Sequence, residues 1–145
     1  MAIKPEYLKS SISNNVKINA PSEVAWKTCA HKSETTCLAF NRDGDIIYTG
    51  GADGIVKGWR VSDGKEISQM GGLQKAVTSI SASLDNEYVL ASSFDQHKIV
   101  LYRTKTNSKL MQYVGHADSV NTSLFNYSMK QVISGSDDRT VRYWD

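Results

Sequence analysis

Apolar and polar positions alternate with a period of two over short runs along most of this chain, and clusters of Gly, Asp, Asn and Ser separate the runs. That pattern predicts short β-strands joined by tight turns. The first set of strands is Thr35–Asn41, Ile46–Gly50, Ile55–Arg60 and Glu66–Met70. Arg42-Asp43-Gly44, Gly51–Gly54 and Ser62-Asp63-Gly64 divide them, and glycine in such turns accepts a positive φ. A second set reads Ala76–Ala82, Tyr88–Ser92, Lys98–Arg103 and Leu110–Val114. A third reads Ser119–Phe125, Gln131–Gly135 and Thr140–Trp144, with no fourth member. Glu23–Cys29 (EVAWKTC) is also strand-like but has no partner upstream. Residues 1–22 show no clean period, and Ser10–Asn15 (SSISNN) has the composition of a flexible linker or tail.

The sets repeat in register. Asp53 lies 22 residues after His31, Asp138 lies 22 after His116, and Asp95 lies 22 after Leu73. The three aspartates are 42 and 43 residues apart. Four strands per period of ~40–45 residues describe the blades of a β-propeller. The expected fold is therefore all-β: a partial propeller of about three four-stranded blades plus a lone closing strand. The expected boundaries are a linker or tail over residues 1–22 and an incomplete propeller over residues 23–145. The latter divides into a closing strand over 23–29, blades over 31–70 and 73–114, and a partial blade over 116–145. Rings need ~4–8 blades, so three blades leave sheet edges and a blade face bare. The expectation is a piece of a longer ring, with Glu23–Cys29 closing a last blade. Self-association of the short chain is the alternative.

Composition narrows the class of function. An apolar share of 40% supports a core, and a net charge of +2 with scattered basic residues gives no basic face for nucleic acid. No apolar run approaches the ~20 residues of a membrane span, and the amino terminus has no signal-peptide pattern. The two cysteines, Cys29 and Cys37, fit a reducing compartment. The reading is a soluble cytoplasmic protein. Cys29, His31 and Cys37 match no common zinc spacing, and no phosphate or dinucleotide fingerprint occurs. No metal or cofactor is expected.

Two quartets carry the remaining chemistry. His31, Thr49, Asp53 and Trp59 occupy the same repeat positions as His116, Ser134, Asp138 and Trp144. His, Ser and Asp together invite a hydrolase reading. Recurrence with a Trp at the repeat spacing favours a structural hydrogen-bond chain, and the nucleophile elbow G-x-S-x-G is missing. In that chain Asp accepts from one imidazole nitrogen, the other nitrogen accepts from the hydroxyl, and the hydroxyl accepts from the indole N–H. The second unit has Leu73 and Ala91 at the His and hydroxyl positions, with Leu101 or Tyr102 at the Trp position. Asp95 is left without these partners.

The strings AHKSETTCLAF…TGGADGIVKGW and GHADSVNTSLF…ISGSDDRTVRYWD resemble WD-repeats of the β-propeller family. The resemblance covers about residues 23–145 and implies a seven-bladed ring and a non-catalytic protein-protein interaction scaffold. Pro21 before a lone strand, TGGADGIVKGW, and the Trp-less VLASSFD unit before ISGSDDRTVRYWD are similar to the start of the propeller in the autophagy-related protein 16 subfamily. That likeness implies support for lipidation of a ubiquitin-like protein during autophagosome formation, with recruitment to autophagosome precursor membranes through partners. It also implies a link to the conjugate of autophagy proteins 12 and 5, made through a region that this sequence does not show. The alternative is a WD-repeat adaptor of another complex, a ubiquitin-ligase receptor or an RNA-processing scaffold.

Propeller loops on one face dock proteins or peptides. The register makes the loops before each first strand, and the turns after each second strand, the candidate surface. Its exposed members are expected to be Lys32, Glu34, Lys75, Phe94, Gln96, Asp118 and Arg139. Phe94 either anchors a partner or packs on a neighbouring loop. Arg139 either faces partners or pairs with Asp137 or Asp118.

Overall fold

Strand alternation leaves each sheet with two faces to cover, and the tight turns dictate that consecutive strands pair with each other. The computed structural model describes residues 23–94, 97–128 and 130–145. These residues form strands and no helix, so none is long and apolar enough to cross a membrane. The first sheet contains β1 (Thr35–Phe40), β2 (Ile46–Gly51), β3 (Val56–Arg60) and β4 (Glu66–Met70). The second contains β5 (Val77–Ala82), β6 (Tyr88–Ser93), β7 (Lys98–Arg103) and β8 (Ser108–Val114). The third contains β9 (Val120–Phe125), β10 (Val132–Ser136) and β11 (Val141–Trp144). Each is an antiparallel meander in chain order, the blade arrangement that the repeat predicted.

The sheets stack through their first strands, with β1 beside β5 and β5 beside β9. Two apolar layers result. Between the first and second sheets lie Tyr48, Val56, Met70, Leu73, Val77, Val100 and Tyr102, among others. Between the second and third lie Leu90, Ile99, Val120 and Val132, flanked by Leu101, Tyr113, Phe125 and Trp144. The middle sheet is thus covered on both faces, which explains why its strands read as the near-continuous apolar runs YVLASS and KIVLYR. Each large side chain sealed in these layers contributes roughly 1.5–3 kcal/mol.

Close approach decides Gly50. A Cβ there would lie 2.6 Å from Val77 Cγ1 and 2.7 Å from Cys37 Sγ, so the residue seats the next blade's first strand. Polar bolts reinforce the same junction. The Thr36 hydroxyl donates to the Val77 carbonyl, and the Thr78 hydroxyl donates to the Val120 carbonyl. Both threonines sit at register shifts in a first strand, 42 residues apart.

One expected element differs. Glu23–Cys29 is not a strand, because no other described segment lies alongside to form a ladder with it. It is instead pinned by Trp26. The indole N–H donates to the Val61 carbonyl at 2.7 Å, and the ring lies on Gly64, where a Cβ would come within 2.6 Å of it. Gly64 has φ of 67° in the β3–β4 turn.

Replacing Gly50 with Ala forces Val77 and Cys37 apart. The expected loss is about 1–3 kcal/mol of stability in urea titrations.

Candidate functional site

The loops before each first strand and the turns after each second strand lie at one end of the sheets, tied by the same backbone bond in every blade. Ala52 N–H donates to Glu34 C=O at 2.9 Å, Phe94 N–H to Ala76 C=O at 2.9 Å, and Asp137 N–H to Ser119 C=O at 3.0 Å. In the turn that follows, matched positions hold Gly54, His97 and Arg139, with φ of 75°, 53° and 68°. The turn demands a left-handed residue there, and only the first blade supplies glycine.

Beneath this surface lie the two quartets. His31 Nδ1 is 3.1 Å from Asp53 Oδ1 and Nε2 is 2.9 Å from Thr49 Oγ1, while the Trp59 indole donates to Thr49 Oγ1 at 2.8 Å. In the third blade the His116 contacts are 2.7 Å to Asp138 Oδ2 and 2.8 Å to Ser134 Oγ, with Trp144 Nε1 donating to Ser134 at 2.8 Å. The indole can only donate, so the hydroxyl oxygen accepts from it and keeps its own O–H for Nε2, with Nδ1–H directed at the carboxylate. Each network thus ties the loop before the first strand to the second strand, the following turn and the third strand.

Electrostatics follow from those contacts. Burial pushes the Asp138 carboxyl up, but hydrogen bonds from Thr140, His116 and the Ala117 and Thr140 amides outweigh it and hold the group well below the usual carboxylate range. Asp53 is also lowered. Burial opposes the shift, and the Ile55 and Lys32 amides together with His31 overcome it. The arrangement does not resemble a nucleophile site: Ser134 is 1% exposed and its oxygen already serves both Trp144 and His116. Among the described residues no cluster of three or more His, Cys, Asp or Glu is placed to share a metal ion. Cys37 packs against the first apolar layer, and burial raises its thiol pKa.

The middle blade replaces the quartet. Leu73 and Ala91 are buried, and the β6–β7 register sets Tyr102 opposite Val89, as Trp59 stands opposite Ile47 and Trp144 opposite Val132. Tyr102, not Leu101, therefore occupies the Trp position. Its hydroxyl donates to Gly71 C=O at 3.1 Å, reaching the loop before the first strand directly. Burial pushes the phenol up to about 12. Asp95 and Gln96 lie outside the described residues. The Tyr102 bond and the Thr36 and Thr78 bolts escape sequence reasoning centred on His, Asp and Trp, although the threonines repeat with the same period.

On the surface, Lys32, Glu34, Lys75, Phe94, Asp118 and Arg139 are all exposed. The Lys32 N–H caps Asp53 Oδ2 at 3.2 Å, and the Ser33 hydroxyl donates to Glu34 and lowers its pKa. The Asp118 carboxylate accepts its neighbouring Ser119 amide at 2.7 Å, and Asp137 accepts from Asn121. Among the described residues Arg139 pairs with neither acid. Phe94 is 51% exposed at the position held by Ala52 and Asp137 in the other blades.

A family model described as WD domain, G-beta repeat, matches residues 24–60 and 107–145, just over half of the chain. The unmatched middle takes in β5, β6 and β7 of the blade that lacks the quartet. Protein tipD of Dictyostelium discoideum is 35% identical over 125 residues, covering 86% of this chain and 20% of that protein. Autophagy-related protein 16 of Arabidopsis thaliana is 25% identical over 131 residues, covering 90% and 26%. The chain thus spans about a fifth to a quarter of the length of these curated relatives. A crystal structure of RRP9 WD40 repeats superposes with a TM-score of 0.75 at 24% identity, covering 80% of this chain and 36% of that one, a likeness of fold.

Two outcomes test the networks. Ser134→Ala strands the Trp144 indole and His116 Nε2 in a buried site, and should cost on the order of 2–4 kcal/mol in chemical denaturation. Because Asp53 and Asp138 titrate below their unfolded values, their contribution is complete above the unfolded pKa of about 3.9 and fades as pH falls through the folded values. The urea midpoint should therefore drop below about pH 4, and Asp138→Asn should flatten that acid slope.

Proposed function

The chain belongs to the WD domain, G-beta repeat family, and on that premise we propose that it is a non-catalytic interaction platform whose partners dock where the quartet-braced loops meet. The observation that carries this reading is Phe94. A large apolar side chain stands half exposed at a turn whose backbone is clamped by the Ala76 carbonyl. Rigid aromatic side chains ringed by polar groups are the usual energetic centres of protein interfaces. Around it the face mixes cations (Lys32, Lys75, Arg139) with anions (Glu34, Asp118, Asp137), which suits a peptide of mixed charge better than nucleic acid.

The finer reading is an autophagy-related protein 16-like factor that supports lipidation of a ubiquitin-like protein as autophagosomes form. It is supported by 25% identity to that protein across 90% of this chain. Contact with the conjugate of autophagy proteins 12 and 5 belongs to this reading only through sequence outside the chain, and recruitment to autophagosome precursors would run through such partners. The repeat architecture serves many complexes, so a WD adaptor subunit of another assembly is the competing outcome of the same experiment.

Affinity capture with the full chain, compared with Phe94→Ala, tests both levels. The expected result is retention of autophagy adaptors, reduced about tenfold by the substitution, with an unchanged urea midpoint. Specific, Phe94-dependent capture of a ubiquitin ligase or an RNA-processing complex would replace the autophagy reading. Capture indifferent to Phe94 would move the docking site elsewhere.

A further inference from the structure

The first sheet departs from the middle one along a single cross-strand row. The β2–β3 and β3–β4 registers set Tyr48, Gly58 and Ser68 side by side. The same positions of the second sheet hold Leu90, Leu101 and Met111, an apolar row. A blade therefore accepts apolar side chains here, and the first blade carries two hydroxyls instead. Gly58 makes room for them: a Cβ on it would overlap Ser68 Oγ and come within 3.2 Å of the Tyr48 ring. The fold satisfies neither hydroxyl. Ser68 Oγ is buried without a hydrogen-bond partner. Tyr48 is only 4% exposed, yet its hydroxyl makes no hydrogen bond among the described residues. Unpaired hydroxyls at such sites cost stability unless something else bonds to them.

The row borders a groove of about 290 Å³ between the first and second blades. Ile46, Tyr48, Ile67 and Ser68 line it from the first blade, Lys105 and Asn107 from the second. The rest of its wall is fixed across the blade junction. Asn86 accepts from the Arg42 amide at 3.1 Å and donates to Asp43 at 2.6 Å, and Thr104 donates to the Asn86 carbonyl at 2.8 Å. Lys105 and Asn107 are exposed, and their side chains have no partner among the described residues. Burial, and then the Asp45 charge, push the Tyr48 phenol up, so it keeps its proton for donation. The Asp45 carboxylate itself accepts from the Asn41 amide at 2.7 Å. Past Ile46 and Ile67 the groove runs on into a second hollow of about 450 Å³ beside Arg60 and Ser62. The result is a long trough with an aliphatic floor and hydrogen-bond donors at one end, a shape that suits an extended chain.

We propose that this trough is a second docking site, for a linear peptide that sets an acidic side chain among Tyr48, Lys105 and Asn107 and an aliphatic side chain between Ile46 and Ile67. Phenol, ammonium and amide N–H groups all donate to a carboxylate, and Lys105 supplies the opposite charge. At the far end Arg60 is already engaged, donating to Asp63 at 2.9 Å, which leaves Lys105 to select the acidic residue. The two isoleucines bury the neighbouring aliphatic side chain. The trough lies between two four-stranded sheets, at the end opposite the turn that carries Phe94, so it stands on different residues from the docking surface there.

Selection of random linear peptides on the 145-residue chain, followed by fluorescence anisotropy with the enriched sequences, tests the proposal. The expected sequences carry Asp or Glu next to Leu, Ile or Val. Lys105→Glu should weaken their binding at least about tenfold, and added salt should weaken it as well. Tyr48→Phe should weaken it about threefold to tenfold. The urea midpoint of that variant should be unchanged or higher, because the phenol has no partner in the fold to lose; a purely structural hydroxyl would lower the midpoint and spare the affinity. Enrichment of no peptide, or of sequences without an acidic residue, overturns the proposal, as does binding that Lys105→Glu leaves unchanged. Peptide binding that appears only after residues 1–22 are removed also overturns it, by making the chain's own segment the occupant.

Discussion

A four-stranded blade cannot stand by itself, because its twisted sheet carries apolar side chains on both faces and each face stays wet until another sheet lies on it. The middle blade satisfies that constraint completely. Tyr102, Val100, Ala91 and Val89 turn toward the first sheet, while Leu90, Ile99 and Leu101 turn toward the third. Among the described residues its neighbours are covered on the side that faces it. Gly50 and the Thr36 and Thr78 hydroxyls show how closely the first strands must approach before this burial is complete. Stability, ring closure and the shape of the loop surface all descend from that stacking.

Polar chemistry inside such a layer follows a strict rule: a buried group without a partner costs more than the bond it would make returns. The quartets obey it by pairing every member, from indole to hydroxyl to imidazole to carboxylate. The middle blade obeys it in a different way. With Leu73 and Ala91 in place, neither an imidazole nor a hydroxyl remains to be satisfied, and the Tyr102 phenol spans the distance to Gly71 with one bond. The same rule separates these histidines from a catalytic pair, whose hydroxyl must keep a face open to substrate.

Bracing the loops from below has a functional consequence. The turn that carries Phe94 is clamped to Ala76, and its counterparts are clamped to Glu34 and Ser119, so side chains at this end project from a backbone with little freedom. A surface built on rigid turns loses less entropy on binding a partner than a mobile loop would. Blades stack through their sheet faces and not through these loops, so the stacking leaves this end of the sheets exposed.

The sequence by itself determined the strands, their order and the repeat, because alternation and turn chemistry act over a few residues and the 42- and 43-residue spacings are visible as counts. It also set which side chains meet in the quartets, since equal spacings within a repeat imply equal places in a blade. Three features needed the tertiary structure. Whether Leu101 or Tyr102 stands at the Trp position depended on one residue of register in β6–β7, which the local pattern does not resolve. The bolts from Thr36 and Thr78 join different blades, so nothing within one blade announces them. Glu23–Cys29 has the composition of a strand, yet a strand exists only as a ladder. Without a neighbouring edge its place was decided by one indole reaching Val61 and Gly64.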